Sequence, residues 1–160
     1  ISLREQGPRT CRGMDGERVT YHVHDVTVRR NICAMNSRYQ VGLWWDNPFF
    51  GPHPSATRGR QGTPYDPDQN NIRFDENLYW SDGTQQLALW GCPWRPKHAR
   101  YADLRTWQRE RKQDVLSLAA NPRFVAVDTG DWNLRPESPA HRLRAGRTVP
   151  LVLPPTNQGP

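Results

Sequence analysis

The sequence predicts an all-β domain built from a repeated unit, seen at its closing end. The first observation is the stretch NIRFDENLYW, Asn71 to Trp80. Read with period 2, it sets Ile72, Phe74, Glu76 and Leu78 on one side of a strand and Arg73, Asp75, Asn77 and Tyr79 on the other. Only Glu76 breaks the apolar side, at a point where a strand can bend or end. The second observation is a fainter copy 46 residues earlier: Asn71 falls on Asp25, Ile72 on Val26, Phe74 on Val28, Asn77 on Asn31, Leu78 on Ile32 and Tyr79 on Cys33. The third is composition. Fifteen Pro and 12 Gly at a mean hydropathy of −0.90 would suggest disorder, but seven Trp, five Tyr and four Phe supply large apolar surfaces. The balance points to a loop-rich, aromatic-packed β protein.

At 160 residues the chain suits one domain with a core. It divides into an incoming segment over 1–17, the repeating β body over 18–145 and an extended or disordered tail over 146–160. It starts at Ile1 rather than Met, so a processed product or a piece of a longer polypeptide is expected, and the repeat favours the second. The 22 Lys and Arg against 16 Asp and Glu give +6, a field that favours anionic partners. The Arg residues are scattered, which argues against a nucleic-acid binder. No apolar run approaches a membrane span, so neither nucleic acid nor membrane is an expected partner. Cys11, Cys33 and Cys92 are too widely spaced for a zinc finger or a dense disulfide framework.

In chain order, Val19, Tyr21 and Val23 alternate with polar residues, as do Val26 and Val28, which predicts two short strands meeting at His24 and Asp25. YQVGLWW, Tyr39 to Trp45, reads as a further strand with Gly42 at a bend or close approach. Asp46 to Gln69 is a Pro and Gly-rich excursion that cannot be a central strand, because proline lacks the ladder's donor. After the NIRFDENLYW strand, Leu87 to Trp90 reads as a short strand. Tyr101 to Lys112 is the helix candidate, with Asp103 near its start and Leu104 and Trp107 on one face. Arg123 to Val127 and Asp131 to Leu134 are the last strands, and prolines interrupt the chain beyond Leu134. In the repeat, Asn31 and Asn77 share a place, where amide side chains of neighbouring copies can hydrogen-bond and satisfy their polar groups.

NLYW, Leu104-Arg105-Thr106-Trp107-Gln108, the Asp114 to Ser117 turn, ANPRF and DWNLRPESPA follow one another in order. That succession resembles the C-terminal end of right-handed parallel β-helix proteins of the pectate-lyase-like, carbohydrate-active kind. These often finish on a motif similar to NLYW … WQ … G-x-D-x-x-S … DP-x-F … DF-x-L-x-P-x-SPA. The likeness runs from Val26 to Gly146 and is strongest from Asn71 to Ala140. Asn121 departs from the usual Asp, and Lys112 from the usual Gly. The resemblance implies the end of a right-handed parallel β-helix, a solenoid, with one short capping helix. It also implies a secreted or periplasmic fragment acting on polysaccharide as a glycoside hydrolase or polysaccharide lyase. The catalytic centre then lies here or in the remainder of a longer polypeptide upstream. The alternative is a non-catalytic carbohydrate-binding or structural cap.

Asp66, Asp68, Asp75 and Glu76 are the densest carboxylate cluster, the residue type that glycoside hydrolysis uses in pairs. Adjacent Asp75 and Glu76 face opposite ways on a strand, so Asp66 or Asp68 with Asp75 is the pair to consider; turn and surface roles are the commoner fate. No cofactor is expected, though the same oxygens suit Ca2+. His22 and His24 share a strand face but lack a third metal ligand at a recognisable spacing. Trp44, Trp45, Phe49, Phe50, Tyr79 and Trp80 offer faces on which sugar rings stack, with core packing as the commoner use. Trp44 and Trp45 cannot both point inward. Arg29, Arg30 and Arg73 suit bidentate contact with a uronate, or equally with local carboxylates. The candidate substrate-binding set is therefore Trp44, Trp45, Arg73 and Tyr79.

Overall fold

The structure is a computed structural model that describes residues 1–5, 9–21, 23–45, 49–50, 63–64, 70–81, 86–91 and 98–146. Its first strands are β1 (Ser2–Glu5), β2 (Arg9–Arg12), β3 (Arg18–Tyr21), β4 (Thr27–Arg29), β5 (Ile32–Ala34) and β6 (Tyr39–Trp45). Two-residue strands β7 (Phe49–Phe50) and β8 (Thr63–Pro64) lie in the proline-rich excursion. Then come β9 (Arg73–Asp75), β10 (Leu78–Trp80), β11 (Gln86–Gly91), β12 (Ala99–Tyr101) and helix α1 (Leu104–Arg111). β13 (Leu118–Ala119), β14 (Phe124–Ala126), a 3-10 turn at Val127–Thr129, β15 (Asp131–Leu134) and helix α2 (Ala140–Leu143) close the described chain.

The 46-residue offset is a physical register. β4 pairs in parallel with β9, placing Val28 opposite Phe74, and β5 pairs in parallel with β10, placing Ile32 opposite Leu78 and Cys33 opposite Tyr79. The turns repeat as well. Asp25 and Asn71 have φ of 53° and 52°, and Arg30 and Glu76 have 59° and 55°. Left-handed residues of this kind cost about 1 kcal/mol each without glycine, so the surrounding bonds must hold them. They do: Asp25 N donates to Asn70 O at 2.8 Å and Arg30 N to Glu76 O at 3.0 Å. Asn71 Nδ2 reaches Asp25 Oδ1 at 2.9 Å, and Arg30 Nε reaches Glu76 Oε2 at 2.5 Å. Glu76 therefore splits the stretch expected as one strand into β9 and β10, turning the chain so that Asn77, Leu78 and Tyr79 are all buried.

The architecture as a whole corrects the expectation. The described strands do not form the end of a right-handed parallel β-helix, and no solenoid runs through them. They make six small sheets of two to four strands that mix parallel and antiparallel pairs, and among the described residues there are two α-helices instead of one. β1, β6 and β11 are parallel neighbours, but β12 closes that sheet antiparallel to β11. β2 with β3, β7 with β8 and β14 with β15 are antiparallel. The physical reason lies in the connections. A short turn closes an antiparallel pair with little loss of chain entropy, whereas each parallel pair requires a long crossover. Gly13 to Gly16 and Val127 to Gly130 supply such short turns, and the 46-residue period extends over only two strands per copy.

The main core joins three of these sheets, and a smaller cluster of Leu78, Ala140 and Ala145 lies apart from it. Val28, Cys33, Val41, Leu43, Ile72, Phe74, Tyr79, Leu87, Ala88 and Trp90 pack with Tyr101, Leu104 and Trp107, the residues that α1 and its approach turn inward. α1 starts at Leu104, three residues later than expected, because Tyr101 ends β12 and the Asp103 side chain caps the helix by accepting from Thr106 N at 2.8 Å; its bonds to Thr106 hold the Asp103 carboxyl below its ordinary pKa. It ends at Lys112, whose φ of 55° is the left-handed conformation that glycine adopts most easily. Lys112→Gly is therefore expected to raise stability by about 0.5–1 kcal/mol in urea denaturation. The free edge of β9 is covered by the residues after α1. Gln113 accepts from Phe74 N at 2.9 Å and donates to Ile72 O at 3.1 Å, and Asp114 N donates to Phe74 O at 2.7 Å.

Candidate functional site

Two regions compete as the functional site. The first is the polar centre around Asp114, which is 1% exposed. The turn after α1 carries it inward, with φ of 56° at Asp114 itself. Its Oδ1 accepts from Ser117 Oγ at 2.6 Å, Tyr79 OH at 3.0 Å and Asn77 Nδ2 at 3.1 Å, and its Oδ2 accepts from Trp107 Nε1 at 2.8 Å. Asn77 completes the network. Its Nδ2 also donates to Val28 O at 2.9 Å, and its Oδ1 accepts from Asn31 N at 3.0 Å and Asn31 Nδ2 at 3.1 Å. All four hydrogen-bonding positions of that amide are thus filled. Asn77 N is bonded to Ser117 Oγ at 2.8 Å, so the serine hydroxyl accepts from one buried group and donates to another.

Burial pushes the Asp114 carboxyl above its ordinary pKa, outweighing the pull of its four donors in the opposite direction. Tyr79 is raised as well, first by burial and then by the Asp114 carboxylate beside it. Perturbed groups of this kind are often catalytic. Here the geometry argues otherwise, because Asp114, Asn77 and Tyr79 are at most 1% exposed and spend their polar atoms on one another. The network is a structural tie between the two copies and the segment after α1.

The second region is an open groove of about 570 Å³ beside the β14–β15 hairpin. Trp80, Phe124 and Trp132 give it aromatic walls, and Arg123, Asp128, Arg135 and Glu137 supply charge. Trp132 is 59% exposed, a large fraction for an indole, and its ring stands edge-on to Phe124 with centroids 5.3 Å apart. The frame is fixed from below. Ser138, itself buried, donates to Pro122 O at 2.6 Å, and Arg135 N donates to Arg123 O at 3.0 Å. Arg135 Nη2 donates to Val125 O at 3.0 Å, and Arg123 lies 3.8 Å from Glu137. An exposed aromatic platform on a rigid hairpin, ringed by guanidiniums and carboxylates, can stack an apolar face and hydrogen-bond the rim of the same ligand.

The residues singled out from sequence are dispersed. Asp66 and Asp68 lie outside the described residues, so the proposed pairing with Asp75 has no geometry there. Asp75 is half-buried, and its Oδ1 is engaged by Leu116 N at 2.7 Å and Glu76 N at 2.9 Å, a turn-holding role. Tyr79 corrects the substrate-binding expectation: its ring is 1% exposed in the core and its hydroxyl is spent on Asp114. Arg73 is exposed, with Nε bonded to Asn71 Oδ1 at 2.9 Å. Trp44 is half-buried, donates to Ser2 Oγ at 2.7 Å and lies under the Arg4 guanidinium at 5.3 Å. Trp45 ends β6, and its side chain is outside the described set. The structure does not bring Trp44, Arg73 and Tyr79 to one surface. Of the aromatics named from sequence, Trp80 does line the groove, while Trp132 and Phe124 were missed. Alternation in DWNL sets Trp132 on the same face as Leu134, so it gave no signal that the indole would be exposed.

Among the described residues no group of three or more His, Cys, Asp and Glu side chains is placed to hold a metal ion, and no helix is long and apolar enough to cross a membrane. Searches against family models, curated proteins and solved structures found no match.

Proposed function

We propose that the chain is a carbohydrate-binding module whose ligand surface is the groove built on Trp80, Phe124 and Trp132. The observation that carries this reading is Trp132, an indole 59% exposed on a hairpin whose backbone is tied down on both sides. A sugar presents an apolar C–H face and a rim of hydroxyls. The groove offers the complement, with ring faces between Arg123, Asp128, Arg135 and Glu137. Binding without turnover is the version the geometry supports best, because the described members of the carboxylate cluster drawn from sequence are committed, Asp75 to the backbone of a turn and Glu76 to Arg30.

The test is affinity electrophoresis of the 160-residue chain through gels containing neutral or acidic polysaccharides, with parallel assays for reducing ends and unsaturated sugar products. Retardation without product is expected. Trp132→Ala is expected to weaken it by about tenfold, the typical effect of losing an aromatic anchor. Because Trp132 is exposed, the urea midpoint should change little. Retardation by no polysaccharide, or retardation indifferent to Trp132→Ala, would remove the groove as the ligand surface. Product formation would replace the binding module with an enzyme.

A further inference from the structure

A separate cavity lies between the Arg30–Glu76 turn and the end of α2. It is open to solvent, has a volume of about 290 Å³ and is lined by Arg30, Glu76, Arg142, Arg144 and the apolar side chains of Leu116, Leu118 and Leu143. Three arginines and one glutamate thus line it. That carboxylate is already engaged, since Glu76 Oε2 takes the Arg30 Nε–H at 2.5 Å. Among the described residues neither Arg142 nor Arg144 has an ion-pair partner. Two positive charges therefore remain uncompensated on the wall of a partly apolar cavity.

The wall is built rather than incidental. Ala140 and Ala145 are at most 1% exposed and anchor the two ends of the turn that carries Arg142 and Arg144. Arg144 adopts φ of 53° and its backbone N–H donates to His141 O at 3.1 Å, while Ala145 N donates to Ala140 O at 3.0 Å. Gly146 N then donates to Arg30 O at 3.1 Å, which ties the turn to the opposite wall. The backbone that carries the two arginines is thus fixed beside Arg30, while their side chains are exposed.

We propose that this cavity binds a dianionic oxyanion group carried on a small apolar body, as in an organic phosphate monoester. Guanidinium pairs match the oxygens of such a group by charge and by forked geometry. The charge count calls for two negative charges. Leu116, 60% exposed, and its neighbours Leu118 and Leu143 supply a surface that a bare inorganic ion would leave uncovered.

Calorimetric and NMR titration of the 160-residue chain with phenyl phosphate, inorganic phosphate and phenol tests this assignment. Phenyl phosphate is expected to bind most tightly, inorganic phosphate more weakly, and phenol without saturation. Arg142→Gln with Arg144→Gln should weaken phenyl phosphate binding by more than about tenfold, and Arg142→Gln alone by several-fold. Leu116→Ser should weaken phenyl phosphate and leave inorganic phosphate unchanged. Absence of saturable phenyl phosphate binding, or binding indifferent to both arginine variants, would overturn the site. Equal binding of the two phosphates would overturn the role of the apolar side chains. Trp132→Ala leaves phosphate titration unchanged if the cavity is a site distinct from the aromatic groove, so failure of either proposal is visible without the other.

Discussion

Asp114→Ala is expected to lower the unfolding free energy by about 3–5 kcal/mol, a loss read from the urea midpoint. The substitution leaves Ser117 Oγ, Tyr79 OH, Asn77 Nδ2 and Trp107 Nε1 facing a space that water cannot readily fill, and each buried donor without an acceptor adds its own desolvation cost. Asp114→Asn keeps one acceptor oxygen but turns an amide N–H toward one of the donors, so an intermediate loss is expected. The pH dependence is set by the sign of the shift. Because burial raises the folded-state pKa above the ordinary 3.8, the folded chain holds this proton more firmly than the unfolded chain. The stabilising contribution is fully present below 3.8 and is lost as pH rises through the folded-state value. Subtracting the Asp114→Asn stability curve from the parent curve should therefore give a difference that falls with rising pH in that window and then flattens. A difference that rises with pH would show that the four donors outweigh burial.

Trp107→Ala is expected to cost about 3–5 kcal/mol for its cavity alone. Trp107 is 0% exposed and meets Tyr101, Trp90 and Phe74 edge-on at centroid distances of 5.1, 5.3 and 6.3 Å. It is the residue through which α1 seals the parallel pairs, since Phe74 belongs to β9 and Trp90 to β11. Trp107→Phe separates the two contributions, retaining much of the ring volume while removing the N–H that reaches Asp114 Oδ2 at 2.8 Å. If that bond contributes to stability, Trp107→Phe and Asp114→Ala together should cost less than the sum of the single losses, because both delete the same interaction. Strict additivity would mean that Trp107 acts by packing alone.

The same hub explains what could be read from sequence about the site. Asn31 and Asn77 stood out because they recur at one place in two similar stretches, and their side chains do meet, Nδ2 to Oδ1 at 3.1 Å. Asp114 and Ser117 were visible as a turn motif after the helix. Nothing in the chain between residues 77 and 114 shows that they close on one another, since this depends on α1 folding back over β9. Tyr79 is the instructive error. Alternation places it on the polar side of a single strand, but the left-handed turn at Glu76 resets the alternation, so both Leu78 and Tyr79 are buried.

The features that the sequence determined by itself are local and periodic. It contains the alternation of β4 and β9, the Asp103 cap and inward face of α1, and a repeat whose 46-residue offset is the register of two parallel pairs. Those features arise from side-chain direction and backbone preference, which a short window holds. Tertiary structure alone decided that the strands divide among six mixed sheets, that Trp132 stays exposed while Tyr79 is buried, and that Arg142 and Arg144 line a cavity with Arg30. Each of these depends on which segment covers which edge. That outcome is set by competition between short hairpin closures and long crossovers, with energies spread over residues far apart in the chain.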